Sequence, residues 1–416
     1  MQGQQTSIPA LLRSRKPGFT LPADLYCRSD VFDADMDVFF HRHWIFVGLE
    51  CDVPEPGDIY SVDVGPTSIV LVRGDDEQVR AFYNVCRHRG ARIAPPGRDV
   101  VGKLVCPYHQ WVYDLSGDLV HARDMGDDFD HACHGLRRVN LRNIGGLLFA
   151  CLSDDAPSDI ADLETTMLPR LAPYDLAHAK VAFEADIIEE GNWKLVIENN
   201  RECYHCAANH PELCTSFIAL DFGYDPAGLE GAERAQADAH EALYTTRMTE
   251  WEAQGFPSRA VEHVAGHVTN FRTQRLMMAG PGESQTPDGR AACSRLLGHM
   301  TRKDLGDVHL WTHNSWHHFM GDHALSVIVI PLSPDRTLVR TKWLVHQDAV
   351  EGVDYDVENL TAVWKATNVQ DAELVGLAQQ GVSNYGYQPG PYSRFTEQQL
   401  DTFMTWYVDR MQANGY

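Results

Sequence analysis

Apolar positions recur at helical spacing near the start of the chain, with a period of two over the next hundred residues, and with both periods beyond. Residues 1–24 carry no sustained period and read as an extended arm. Across 29–44, Val31, Met36, Phe39 and Phe40 fall at helical spacing, which predicts a helix that buries them. Runs rich in β-branched and aromatic residues follow at 44–49, 59–64, 68–73 and 79–84. Pro54-Glu55-Pro56-Gly57, Gly65-Pro66 and Gly74-Asp75-Asp76 punctuate them. Further short strands are expected at 112–115, 119–121 and 146–150, completing a small all-β unit. Downstream, 225–263 is rich in charge and alanine and reads as a surface helix capping the site, and 279–293 reads as a loop. Paired strands are expected at 324–331 and 338–346, and a helix at 363–380.

Length and charge narrow the classes. A chain of 416 residues is too long for one ordinary core and predicts two domains. A net charge of -23 argues against a nucleic-acid or anionic-membrane surface. The N-terminus has basic residues without an apolar stretch behind them, and no apolar run approaches membrane length. These features predict a cytoplasmic protein whose ten cysteines are reduced thiols or metal ligands.

Two stretches carry the chemistry. In the first, Asn192 to Leu213, His205 and His210 stand five residues apart with Glu202 one helical turn before them. Neutral imidazoles as ligands and an acid to orient one of them are what a mononuclear metal centre requires. Positions i and i+5 diverge by about 140° on an ideal helix, so convergence needs a π-bulge or a break before His210, which Pro211 suits. Two satisfied histidines on a buried helix are the alternative. The second stretch lies in the β unit, where Cys86-Arg87-His88 and Cys106-Pro107-Tyr108-His109 offer one cysteine and one histidine from each of two loops. Such a set could ligate tetrahedral zinc. It could also hold a Rieske [2Fe–2S] cluster, with both cysteines on one iron and both histidines on the other. The mixed Cys–His grouping in each loop is the Rieske arrangement.

The motifs CRHRG, CPYHQW and NWK…ENNRECYHCAANHP together resemble the catalytic α subunit of Rieske non-haem iron oxygenases along nearly the whole chain. ENNRECYHCAANHPEL, DHALSVIVIPLSPDRTLVRTKWLVH and YQPGPYS further resemble the bacterial demethylases of quaternary ammonium betaines. The resemblance implies an α+β architecture: an all-β Rieske domain at 45–155, and a catalytic domain of 1–44 with 156–416, whose antiparallel sheet is flanked by helices. It implies that Cys86, His88, Cys106 and His109 bind the cluster, and that His205 and His210 bind a mononuclear Fe(II). Glu202 matches the acid that links a cluster histidine to an iron histidine across a subunit boundary in a head-to-tail homotrimer, with His109 and His205 as its expected partners.

A third iron ligand is then due from a carboxylate downstream. At about 100° per residue, Trp364, Asn368, Asp371, Val375 and Ala378 share one face of the predicted helix, and an acid in an apolar stripe must be paired, protonated or metal-bound. Asp371 is that acid. Glu373 falls on the solvated side, and Asp354 and Asp356 sit in a turn-like stretch. The aromatic and imidazole-rich segment Trp311 to His323 admits a second metal or a pocket wall. A trimethylammonium group would be held by ring faces, with Trp316 the first expectation and Trp311, Phe319 and Tyr204 the others. Core aromatics are the alternative for each.

The implied reaction takes O2 and electrons and demethylates a betaine, glycine betaine first and stachydrine or another proline betaine next, releasing formaldehyde. Carnitine, choline or an aromatic ring are alternative substrates. No GxGxxG follows a strand, so a separate NAD(P)H-dependent flavin/iron–sulfur reductase is the expected partner. A Rieske electron carrier and a zinc-stabilised interaction protein are the rivals from other classes.

Overall fold

The computed structural model describes residues 6–416. Much of the predicted extended arm is helical. Helix α1 (Ile8–Ser14) has Pro9 in its first turn, where a fixed φ is suited, and buries Leu11 and Leu12. It is too short to show a period in sequence. Residues 1–5 of that arm lie outside the described residues. Helix α2 (Asp24–Cys27) leads to α3 (Ser29–Asp35), which continues as one π-helical segment at Met36–His41. That widened turn points two adjacent rings inward. Phe39 stacks on Tyr407 at 5.0 Å, and Phe40 meets Trp193 edge-on at 5.3 Å.

The β unit contains strands β1 (Ile45–Leu49), β2 (Asp58–Val64), β3 (Thr67–Arg73), β4 (Val79–Tyr83) and β5 (Gly97–Val100). Next come β6 (Leu104–Val105), β7 (Val112–Tyr113), β8 (Leu119–His121), β9 (Arg138–Ile144) and β10 (Leu147–Cys151). Seven of them form one antiparallel sheet in the order β1-β10-β9-β4-β3-β2-β5, while β6-β7-β8 make a separate three-stranded sheet. Helix α4 (Ile160–Leu171) leads out of this unit.

The second large sheet joins β11 (Ala179–Glu189), β12 (Val261–His263), β13 (Phe271–Leu276), β14 (Asp307–Thr312), β15 (Ser315–Phe319), β16 (Ala324–Ser333) and β17 (Arg336–His346). Its order is β11-β17-β16-β15-β14-β13-β12, antiparallel throughout. Alternation along β17 assigns its two faces. Arg340 and Lys342 meet the first unit: Arg340 donates to the Tyr60 hydroxyl at 2.9 Å, and the Lys342 ammonium sits 2.7 and 2.8 Å from the two Asp52 oxygens. Thr341 faces the other way and accepts from Asn368 of the long helix α8 (Val357–Val382).

Helices α5 (Trp193–Asn200), α6 (Cys206–Asn209), α7 (Gly231–Ala253) and α9 (Gln398–Ala413) complete the chain. Helix α7 is largely exposed. The predicted helical region 225–263 ends instead in β12, where pairing with β13 outweighs helix propensity. The N-terminal helices pack on α5 rather than on the β unit alone. Asp35 is fully buried against Lys194, Trp193 Nε1 (3.0 Å) and the Tyr407 hydroxyl (2.7 Å), and the Tyr26 hydroxyl donates to Glu198 at 2.7 Å. Among the described residues no helix is long and apolar enough to cross a membrane.

Candidate metal centres and cavity

The two Cys–His loops are built alike. In the first, after β4, Cys86 N–H donates to Ala91 O and Gly90 N–H returns to Cys86 O. In the second, between β6 and β7, Cys106 N–H donates to Trp111 O and Gln110 N–H returns to Cys106 O. Both loops need a left-handed residue at the same place. Gly90 supplies it at φ 77°, and Gln110 adopts it at φ 59°. Cys86 and Cys106 are buried. The rings of His88 and His109 lie 4.6 Å apart, and His88 stacks on Trp111 at 4.8 Å. His88 Nδ1 is buried without a hydrogen-bond partner. A lone pair hidden from water and from other donors fits a metal ligand better than a core histidine. His109 contacts Arg89 and Tyr108, and among the described residues no contact joins it to Glu202.

The second set forms where one helix ends and another meets it. Asn192 caps α5 by accepting from Lys194 N–H at 3.0 Å, and the helix stops at Asn200. The chain then turns, and α6 runs for four residues between His205 and His210. His210 leaves helical geometry (φ −122°, ψ 68°), as a residue before proline does. Helix breaks, rather than a π-bulge, therefore bring the two rings together, at 5.0 Å and 83°. The turn also places Cys203 and Cys206 at a Cα separation of 4.9 Å, and a disulfide joins them. The expectation of reduced thiols fails for this pair.

Asp371 reaches the same point from α8. Its Oδ1 lies 3.0 Å from His210 Nε2 and 3.4 Å from His205 Nε2. Each donor is held from behind. His205 Nδ1 meets Glu202 Oε1 at 2.5 Å, His210 Nδ1 meets Gln370 Oε1 at 2.8 Å, and Asn199 Nδ2 donates to Asp371 at 2.6 Å. Such outer partners set ring orientation and leave the Nε2 atoms turned inward. Burial lowers the pKa of His205, but Asp371 and Glu202 outweigh it and carry it up to about 9. Burial would raise Asp371, but the two imidazoles hold it below its ordinary value. His210 Nε2 is buried and faces the Asp371 carboxylate. Two imidazoles and one carboxylate converging on a point fit a mononuclear iron. Glu373 is exposed, as its helical phase requires. Trp364, Asn368 and Val375 are buried, whereas Ala378 is exposed and Gln379 takes the inner position, accepting from Asn192 N–H at 2.8 Å.

A cavity of about 40 Å³ opens on this triad, room for about three waters. Besides the triad and its supports it is lined by Phe217, Phe222, His309, Trp311, His318, Trp364 and Thr367. Of the four expected pocket aromatics, Trp311 alone is in the wall. Phe319 follows His318 on β15 and so points to the opposite face of the sheet, towards Tyr174. Trp316 shares the cavity face, opposite Trp311 in register, but is not part of the wall. Tyr204 is 68% exposed. Phe217, Phe222 and Trp364 were not singled out for the pocket, nor were His309 and His318. For the last two the signal was there: His309 and Trp311, like Trp316 and His318, are two apart on one strand and share a face. Of the histidine-rich stretch, His313 and His317 are tied instead to Phe39 O (2.9 Å) and Ser326 Oγ (2.9 Å).

These features are those of a Rieske non-haem iron oxygenase. A family model for the Rieske [2Fe-2S] domain matches residues 43–137, and one for the ring hydroxylating alpha subunit (catalytic domain) matches 176–413. The chain belongs to that α-subunit family, and its cofactors are a Rieske [2Fe–2S] cluster and a mononuclear non-haem iron, with dioxygen as co-substrate. It is 45% identical over 403 residues to the glycine betaine monooxygenase oxygenase subunit of Chromohalobacter salexigens, covering 96% of this chain and 88% of the relative. The corresponding subunit from Pseudomonas aeruginosa is 42% identical, with 97% and 92% covered. The fold is similar to that of the quaternary ammonium Rieske monooxygenase CntA bound to γ-butyrobetaine (TM-score 0.70, 19% identity, 98% and 100% covered). It is also similar to Rhodococcus naphthalene 1,2-dioxygenase (TM-score 0.66, 18% identity, 95% of both chains).

Proposed function

We propose that this chain is the oxygenase component of a glycine betaine monooxygenase, which removes one N-methyl group and releases formaldehyde. The observation that carries this reading is the near full-length identity to the glycine betaine enzymes. The cavity supports it: a trimethylammonium group has no hydrogen-bond donor, and tryptophan and phenylalanine faces suit it.

In this reading Cys86 and Cys106 hold one iron of the cluster, His88 and His109 the other, and His205, His210 and Asp371 hold the mononuclear iron. When bound, these groups supply single electrons and activate dioxygen. The chain's residues set the geometry. Glu202 and Gln370 fix the two imidazoles, Asn199 orients the carboxylate, and the ring walls exclude water and hold the methyl groups. One oxygen atom enters a methyl C–H bond. The resulting N-hydroxymethyl group loses its C–N bond, leaving the electron pair on nitrogen and releasing formaldehyde and a proton. The other oxygen atom leaves as water after uptake of two electrons and two protons.

We assign residues 45–155 to the Rieske domain and 1–44 with 156–416 to the catalytic domain. Glu202 would link His205 to His109 of a neighbouring copy in a cytoplasmic head-to-tail homotrimer. The lack of a Glu202–His109 contact among the described residues of one chain is consistent with this. Electrons would come from a separate NAD(P)H-dependent flavin/iron–sulfur reductase. Formaldehyde release, measured with a reductase across glycine betaine, stachydrine, carnitine, choline and an aromatic substrate, tests the reading. Glycine betaine is expected to give the highest kcat/KM, and no formaldehyde from it would overturn the proposal.

A further inference from the structure

The cavity is electrically lopsided. Its acids, Glu202 and Asp371, are both at the triad end, and no lysine or arginine lines it. The opposite end is marked by Trp364, which packs on His318 at 4.9 Å and stands two turns, about 10 Å along α8, before Asp371. There His309 and His318 stack as a cross-strand pair, 4.4 Å apart with 5° between their ring planes. His309 Nε2 is buried and has no hydrogen-bond partner, although the residue is only 5% exposed and forms part of the cavity wall. The largest charged influences on it come from His318, Arg272, His317 and Arg201. Arg201 and Arg272 lie behind the wall, 5.9 and 5.6 Å from the Trp311 ring centre.

His318 is set differently. Its Nδ1 meets Asp307 Oδ2 at 2.6 Å, and the fully buried Asp307 also accepts from Gln285 Nε2 (3.0 Å) and Phe319 N–H (3.0 Å). Trp364 Nε1 holds Gln285 in turn. Asp307 therefore fixes the His318 ring through Nδ1–H, so that in the doubly protonated ring Nε2–H is the free donor.

We propose that His309 and His318 form a carboxylate-binding subsite at the end of the cavity away from His205, His210 and Asp371, with Trp311 and Trp364 facing the substrate's ammonium group. This rests on the reading of the substrate as a quaternary ammonium carboxylate. Acids at one end and two imidazoles at the other, His309 near two guanidinium groups and His318 held by Asp307, suit that zwitterion. The match turns the N-methyl groups to the triad and the carboxylate away from it. An imidazole N–H of the wall that meets no carboxylate is left unsatisfied, so the subsite also discriminates against a substrate lacking one.

The test uses the holoenzyme with a reductase and compares glycine betaine with choline, which keeps the trimethylammonium group but replaces the carboxylate with an alcohol. His309→Gln and His318→Gln are each expected to weaken glycine betaine about 10- to 100-fold, the loss of one charge-assisted hydrogen bond. The weakening should appear in KM and in anaerobic calorimetric titration, with kcat and choline affinity little changed. The cluster's visible spectrum and the iron content should match the wild type. If His318→Gln fails that control, His309→Gln decides, because it breaks no hydrogen bond in the wall and loses only ring packing on His318 and Trp311. Equal weakening of both ligands, or of neither, overturns the subsite. Wild-type enzyme that neither binds nor demethylates glycine betaine overturns the proposed function and the subsite with it.

Discussion

Asn199 Nδ2 donates to Asp371 Oδ1 at 2.6 Å, and that same oxygen lies 3.0 Å from His210 Nε2. The carboxylate is thus held by α5 on one side and offered to the triad on the other. Asp371→Ala is expected to keep the cluster spectrum while losing the mononuclear iron and turnover. Asn199→Ala should lower iron affinity by about 10- to 100-fold. Glu373→Ala should leave both unchanged. Iron analysis beside the visible spectrum reads all three, and loss of iron in the Glu373 variant alone would refute the assignment.

Cys86→Ala and His109→Ala should each abolish the visible absorption of the cluster. Wild-type protein should carry about three irons per chain, two in the cluster and one mononuclear. Colourless zinc-loaded protein from iron-replete expression would be the contrary result.

Glu202→Gln preserves the hydrogen-bonding shape beside His205 and removes the charge. Both metal sites are expected to fill and the cluster to reduce normally, while stopped-flow oxidation of the reduced cluster slows severely. Co-expressing His205→Ala with Cys86→Ala chains should restore part of the activity in mixed assemblies, since an intact cluster would then face an intact iron site on another copy. Verified mixed assemblies with no activity would argue for transfer within one chain.

Glu198 is a stability element. Burial pushes its carboxyl up to about 7, against the Tyr26 and Tyr392 hydroxyls and Lys194, which favour the charged form. A folded pKa above the unfolded one means that the folded chain keeps a proton the unfolded chain has released. Its contribution is therefore most favourable below the unfolded value and is lost as pH rises to about 7. The shift corresponds to about 3 kcal/mol. Glu198→Gln should raise Tm at pH 8 and change it little at pH 5. A thermal scan showing the reverse order would reject this account.

Trp311→Leu should raise KM for a trimethylammonium substrate by about tenfold, the scale of a desolvated cation–π contact. Tyr204→Phe should not change it, since that ring stands in solvent.

Residues close in sequence determined what local geometry can determine. The two Cys–His pairs stand in short loops, so spacing alone brought each pair together and pointed to a cluster. The phase of α8 separated Asp371 from Glu373, because a helix turns by a fixed angle per residue whatever surrounds it. Tertiary structure decided the rest. Whether His205 and His210 converge through a bulge or a break depended on where packing ends α5. The Cys203–Cys206 disulfide follows from that same turn. Which aromatics wall the cavity depended on which face of β14 and β15 meets α5 and α8. Strand alternation offers two equivalent faces, and only the helices on one side and the β unit on the other tell them apart. Phe319 and His318 are neighbours in sequence and face opposite layers, so the cavity received an imidazole at that position and the core received the ring.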